Sequence, residues 1–440
     1  MSNIGGVGAS GISKIPELRK RILFTIFILA VYRLGSHVPT PGIDTVALGS
    51  FFEKASGTIF GVFNMFSGGA LKRFSIFALG IMPYISSSII MQLLTIVVPT
   101  LERLSKEGDL GRKRITQYTR YGTVVLCIIQ GYFIAKSLEG MKSPSGSSVV
   151  IDPGMSFRLM TILTLTTGTT FIMWLGEQIT ERGIGNGISL IIFAGIAAGL
   201  PAGFMQSLKL FQSGQITAFA VIAVLGVMVL AVAFIIFMER AQRRIPVQYA
   251  KRVIGRKLYG GQNSHLPLKL NSAGVIPPIF ASSIILFPAT IAQFSNIPIF
   301  KHLQTILMSR SLVYNIFYVS LIIFFTYFYT AVTFNPVDVA ENLKRNGGFV
   351  PGIRPGKTTS DYIDSVLTKI TLVGALYIAA VCVLPEVMTT RFKVPFYFGG
   401  TSLLILIGVA LDTVSQIEAY LLTRNYDGFI KNARLRGRRG

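Results

Sequence analysis

From Phe74 to Leu101 the chain reads FSIFALGIMPYISSSIIMQLLTIVVPTL, without one Asp, Glu, Lys or Arg. Wound as a helix at 1.5 Å per residue, such a run is about 42 Å long, more than the roughly 30 Å of hydrocarbon in a bilayer. Comparable charge-free runs fall at 22–32, 121–135, 159–176, 183–208, 210–238, 270–300, 311–337, 370–385 and 394–411, which makes ten candidate spans. The first is short, eleven residues before Arg33, and Lys14, Arg19, Lys20 and Arg21 precede it as they would a signal-peptide core. No small-x-small cleavage site follows, so it reads as a retained helix over about 22–38, with Arg33 snorkelling to the interface.

Composition agrees with an all-α polytopic membrane protein. Of 440 residues, 51% are hydrophobic and 14% charged, against about 25% charged in soluble proteins. The net charge of +23 would suit a nucleic-acid binder, but a mean hydropathy of +0.58 argues for a membrane instead. Cys127 and Cys382 lie inside apolar runs and form no disulfide framework, and His37, His265 and His302 are too scattered for a metal site. Basic residues then orient the chain. Ten spans put both termini on one side, and that side carries 30 of the 42 Lys and Arg residues. The positive-inside rule makes it the cytoplasmic side.

One further uncharged run, 55–71, is too short to cross. Gly57, Gly61, Asn64, Ser67, Gly68 and Gly69 punctuate it, and its apolar centre, Ile59–Phe66, is about two helical turns. It reads either as an interfacial loop or as a re-entrant half-helix, and the second requires protein or a water-filled cavity to cover its irregular backbone.

The spans lack the ionisable groups that coupled transporters and pumps use at mid-membrane. Glu177, Glu239, Glu386 and Asp412 all stand at span ends. The polar content is Ser86, Ser87, Ser88, Gln92, Thr164, Thr166, Thr167, Ser189, Ser282 and Ser283, residue types that commonly join helices by hydrogen bonds. Catalytic motifs fail. Gly6–Gly11 matches GxGxxG with no strand before it, and Gly352–Thr358 resembles a phosphate-binding loop whose first glycine would fall on Pro351. No nucleophile–base set stands in a plausible loop, so no enzyme and no cofactor is expected.

Two pairs of isoleucines, Ile81 with Ile85 and Ile188 with Ile192, repeat an i,i+4 spacing that stacks each pair on one helix face. Branched apolar side chains converging from several helices form a dry constriction; isoleucines facing lipid would show the same spacing, and spacing alone leaves both readings open. Two long basic loops complete the pattern. In 239–271, two extended arms flank a tip at Gly255-Arg256-Lys257, a projecting hairpin. In 338–369, the Gly and Pro of Lys344–Gly348 and Gly352–Gly356 favour turns over helix. Positive-inside bias explains the charge, as does docking of an acidic partner such as a ribosomal RNA surface or a cytosolic protein.

Several long strings also resemble the SecY/Sec61 alpha family, the channel subunits of Sec protein translocases: Asn64–Ala70, Ala78–Ile85, Glu177–Gly187, Ser264–Lys269, Phe349–Gly356 and Pro395–Thr401. The likeness runs from about Pro16 to Leu435; segments 1–13, 137–150 and 296–312 match no fixed pattern. It implies two pseudo-symmetric, inverted-repeat halves: 1–209 with spans 1–5, and 210–423 with spans 6–10 and both basic loops, followed by a basic tail at 424–440. It implies a plug at about 59–67 (Ile59, Phe60, Gly61, Val62, Phe63, Asn64, Met65, Phe66, Ser67) and a pore ring of Ile81, Ile85, Ile188, Ile192, Ile279 and Ile405. Ser86 and Phe287 match facing positions of a lateral gate between spans 2 and 3 and spans 7 and 8. Arg252, Arg256 and Arg354 match positions that dock the ribosome or the motor ATPase SecA. The implied membrane partners are SecE and SecG, the cargo is signal peptides and unfolded preproteins, and the location is the bacterial plasma (inner) membrane, in contact with the lipid bilayer. The competing class is an inverted-repeat solute transporter, disfavoured by the missing mid-membrane charges.

Overall fold

Proline decides where the Phe74–Leu101 run becomes helical. A computed structural model describes residues 16–45, 47–49, 67–140, 148–214, 218–249, 252–254, 257–259, 263–294, 312–392 and 400–436. In it the helix begins at Met82, with Pro83 in the first turn, where a missing N–H is harmless. Val98, extended at φ −100° and ψ 111°, ends it, because the residue before a proline is pushed out of the helical region. The chain then bends by 100° into Pro99–Lys106. Phe74–Ile81 are turns apart from Ser75, which forms an isolated antiparallel bridge with Pro39. The single long span expected here is thus corrected to a 16-residue helix, about 24 Å, flanked by irregular backbone.

In chain order the elements are α1 Pro16–Gly35, α2 Met82–Val97, α3 Pro99–Lys106, α4 Asp109–Gly140, α5 Met155–Arg182, α6 Gly187–Gln212 and α7 Ala218–Arg240. Then come strands β1 Gln242–Tyr249, β2 Arg252–Ile254, β3 Lys257–Tyr259 and β4 Asn263–Lys269. The rest is α8 Ile276–Phe294, α9 Leu312–Thr333, α10 Pro336–Arg345, β5 Gly348–Phe349, α11 Lys357–Phe392 and α12 Gly400–Arg436. Each of the ten runs read as spans overlaps a helix, the 74–101 run only the shorter α2 and α3. Five stretches among the described residues are long and apolar enough to cross a membrane: Asp109–Gly140, Met155–Arg182, Val313–Arg345, Lys357–Leu384 and Gly400–Leu421; the bent α2–α3 pair would be a sixth. Large apolar side chains on these helices face outward, among them Leu163 and Ile316, each at 67% exposure, as a surface solvated by lipid requires.

The chain divides into two compact units, one of Met1–Phe204, Leu286–Ser309 and Gly408–Gly440, the other of Met205–Ile285 and Arg310–Ile407. In the first, α4 lies against α5 and α2. Ser87 Oγ donates to the Thr119 carbonyl at 2.7 Å, a helix-to-helix bond of the kind the serines suggested. Ser282 and Ser283, in the other unit, instead bond their own helix at the Ile279 carbonyl. Beyond the apolar run that ends at Ala135, Glu139 takes a two-nitrogen grip from Arg158, at 2.9 Å from Nε and 2.6 Å from Nη2, and accepts from the Gly154 N–H at 3.1 Å.

In the second unit β1 is the centre of a β4-β1-β5 sheet. It pairs antiparallel with β4 from Gln242–Lys269 to Gln248–Asn263, the hairpin expected from the loop sequence. β5 meets β1 only at Gln248 and Tyr249, so Pro246 breaks no ladder on that edge. The loop expected at 338–369 is corrected: most of it is helix. Asn335 Oδ1 accepts from the Val337 N–H to cap α10, and Pro336 occupies its first turn. Turns remain only at Gly347, Gly352 and Gly356, with φ of 70°, 80° and 113°.

The Glu177–Gly187 string has a packing explanation. Gly185 has φ +87°, and its N–H donates to Gln416 Oε1 at 3.0 Å. Thr25 Oγ1 accepts from the Ile184 N–H at 3.1 Å, while Asn186 Oδ1 accepts from Ile188 and Ser189 to cap α6. At Gly187 a Cβ would overlap the Gly176 carbonyl oxygen. Losing the cap in Asn186→Ala is expected to cost about 1 kcal/mol. Gly187→Ala, which no rotamer relieves, is expected to cost about 1–3 kcal/mol; denaturant unfolding in detergent measures both.

Candidate functional site

In the first unit the irregular stretch at 67–81 is largely buried, with Arg73 exposed. Gly68 and Gly69 take φ of +66° and +84°, which glycine alone adopts freely. Phe74, Phe77, Ala78 and Leu79 are each 1% exposed. Neighbouring segments supply the hydrogen bonds that helix would have made. Arg33 Nη1 donates to the Gly68 carbonyl at 2.8 Å and the Tyr32 hydroxyl to the Ser67 carbonyl at 3.5 Å. Thr40 N–H reaches the Phe74 carbonyl at 2.8 Å, and Ile76 N–H the Val38 carbonyl at 3.0 Å. Arg33 is therefore turned inward onto a backbone turn, correcting the expected snorkel. A Cβ on Gly68 would stand 2.9 Å from the Gly195 Cα, so α6 passes directly over the turn.

This enclosed turn delivers Ile81 to the start of α2, where the Ile85 N–H donates to the Ile81 carbonyl at 3.1 Å and the two side chains stack one turn apart. Ile81 and Ile85 are buried, and Ser86 beside them is half-buried. On α6, capped by Asn186, Ile192 is buried and Ile188 half-buried. Ile279 on α8 and Ile405 on α12 belong to the second unit, at 7% and 0% exposure. Of the expected plug, Ser67 is described and buried, while 59–66 lie outside the described residues; the Phe287 side chain does as well.

The basic loops of the second unit build a platform rather than free arms. Ile245 on β1, Leu268 on β4, Val350 after β5 and Ile363 on α11 form one buried cluster, with Phe334, Val339 and Leu343 packed on it. Arg354 is exposed on the Gly352–Gly356 turn, its carbonyl accepting from Thr359 Oγ1 at 2.9 Å. Arg252 lies on β2 with its side chain outside the described residues, and Arg256 lies outside them altogether. Two span-end carboxylates are engaged. Glu177 pairs with Arg120 Nε at 2.8 Å, and Glu239 accepts from Asn271 Nδ2 at 2.7 Å. Among the described residues no three His, Cys, Asp or Glu side chains gather as a metal site would need.

The family model described as SecY matches residues 75–414. The protein translocase subunit SecY of Escherichia coli K12 is 55% identical, covering 96% of this chain and 96% of its own. That of Pseudomonas aeruginosa is 49% identical over 99% and 98%. The chain belongs to the SecY family. Solved structures share the fold at low identity. A protein-conducting channel superposes with TM-score 0.64 at 16% identity, over 94% of this chain and 96% of that one. The Sec61 of a canine ribosome–channel complex superposes with TM-score 0.60 at 15% identity, over the same shares.

Two features of this SecY chain escaped the sequence reading. Tyr32 and Arg33 serve the Ser67–Gly68 turn, and a lone arginine inside an apolar run was the available signal. Asn271 and Tyr377, which both bond Glu239, carried no signal: one is a polar residue at a span end, the other a tyrosine in mid-run. The platform is testable by itself. Ile363, 0% exposed, sits where all its elements meet, so Ile363→Ala should cost about 2–5 kcal/mol. Amide exchange should accelerate in β1 and β4 while α4 stays protected.

Proposed function

We infer that this chain is the protein-conducting channel of a Sec translocase. It passes unfolded secretory polypeptides across the membrane and releases membrane-protein segments sideways into lipid. The observation that carries this is 55% identity to a protein translocase subunit over 96% of both chains. Membership of that family, rather than any missing residue, places the chain outside the enzymes.

The finer reading keeps the residues named above. Ile81, Ile85, Ile188, Ile192, Ile279 and Ile405 make the pore ring, residues 59–67 the plug, and Ser86 with Phe287 the lateral gate. A ring of uncharged, adaptable side chains seals around any polypeptide, where a charged ring would hold some and repel others. The halves divide at 209/210, with ten spans and both termini cytoplasmic in a bacterial inner membrane; the 30 of 42 basic residues on one side support that orientation. SecE and SecG are the membrane partners. SecA or a translating ribosome supplies the driving force, which fits spans without coupling carboxylates. A relative of the same fold sits in a ribosome–channel complex, and the exposed Arg354 on the basic platform suits an rRNA or acidic protein surface. A signal peptide entering the gate gains roughly 0.8 kcal/mol per buried CH₂, enough over several residues to bias opening.

Ion conductance in a planar bilayer tests the pore and plug together. The intact complex is expected to be silent and a variant lacking residues 60–67 to leak or flicker open; silence in both would favour a carrier. For docking, Arg354→Glu should weaken ribosome binding and SecA-driven transport, with the loss shrinking as salt rises. Unchanged transport would remove Arg354 from the docking surface.

A further inference from the structure

Between the docking platform and α8 the chain passes through six residues, Leu270–Val275, and every one of the observed constraints on them converges on one place. The Leu270 N–H donates to the Ala241 carbonyl at 2.9 Å, closing the base of the β1–β4 hairpin. A Cβ on Gly374 of α11 would lie 2.7 Å from the Leu270 carbonyl oxygen, so helix and connector touch backbone to backbone. Asn271 is 4% exposed, and its Nδ2 donates both to Glu239 Oε1 at 2.7 Å and to the Gly274 carbonyl at 3.1 Å. Gly274, at φ +62°, turns the connector into α8. The Tyr377 hydroxyl, on α11, reaches the same Glu239 oxygen at 3.5 Å, and its ring packs edge-on against Phe234 of α7, centroids 5.7 Å apart.

One carboxylate oxygen thus gathers the end of α7, the hairpin base, the entry to α8 and the middle of α11. The joint is also incompletely satisfied. Asn271 Oδ1 is buried with no protein partner among the described residues, and the Tyr377 bond is at the long limit for an O–H donor. A buried acceptor left unmade is costly, so this arrangement has room to exchange for another in which that oxygen is used. We propose that Glu239, Asn271 and Tyr377 form a transmission joint that converts docking of the ribosome or motor on the cytoplasmic hairpin into displacement of α8. Asn271 and Tyr377 are its positioning residues: they touch neither cargo nor partner, and hold α8 in register with the hairpin that receives the load. The inference rests on the channel reading above.

The test separates docking from transmission. Asn271→Ala, Tyr377→Phe and Glu239→Gln are reconstituted with the membrane partner subunits in proteoliposomes. Affinity for ribosomes carrying a stalled nascent chain is measured beside the rate of preprotein transport. Asn271→Ala and Tyr377→Phe should leave affinity within about twofold and slow transport about tenfold, a separation typical of lost coupling between sites. Glu239→Gln keeps an acceptor oxygen for Asn271 and should transport within about twofold of wild type. Should Asn271→Ala fail to accumulate, Tyr377→Phe, which removes one hydroxyl, carries the test. Transport at the wild-type rate in both variants overturns the joint, as does an equal loss of affinity and transport, which would make these residues part of the docking surface. Wild-type vesicles that neither bind nor transport would overturn the channel reading itself.

Discussion

Hydrocarbon offers a backbone amide nothing to bond, so chain that leaves the helix at membrane depth must find every partner within the protein. Burial within the protein puts the same demand on most of residues 67–81. They are turns, held open by left-handed Gly68, Gly69 and Gly80, and they persist because Tyr32, Arg33, Val38 and Thr40 supply donors and acceptors from the segment beside them. Phe74 and Phe77 then wall the turn off. Much else follows from it. Pro83 can start α2 only where the turns end, Ile81 is presented at that start, and α6 must carry Gly195 where Gly68 passes.

The same economy governs the second unit by other means. Its platform is a small sheet rather than a turn, and a small apolar core of its own keeps β1, β4 and α11 together. Charge remains on the surface of that core, on Arg354 and its neighbours, while Glu239 at the hairpin base accepts from the Asn271 amide and the Tyr377 phenol.

Charge patterning made the helical architecture legible: a residue type that lipid rejects is easy to see by its absence, and each of the ten runs read as spans overlaps a helix. The hairpin was legible too, since its extended arms are punctuated at both ends. Hydropathy failed where backbone geometry overrides it. The Phe74–Leu101 run is uniformly apolar, yet glycine, Pro83 and the Val98–Pro99 step break it into turns, a short helix and a bend. α10 was missed because its capping asparagine and first-turn proline look like loop residues until the helix is seen. Contacts at long range, Arg33 to Gly68 and Asn271 to Glu239, leave no periodic trace, so no spacing argument reaches them.

α11 has a consequence for how the protein can change over time. It is unbroken from Lys357 to Phe392, and it carries Ile363 in the platform core and Tyr377 at the Glu239 oxygen, fourteen residues apart. A helix turns about 100° per residue and rises 1.5 Å, so one residue inserted or deleted between those positions would swing one of them off its partner. The tip between β2 and β3 has no such phase to keep, since loops accept added length at little cost. Length variation should therefore accumulate at the hairpin tip and be purged from α11: one segment free to lengthen, the other held to a fixed count.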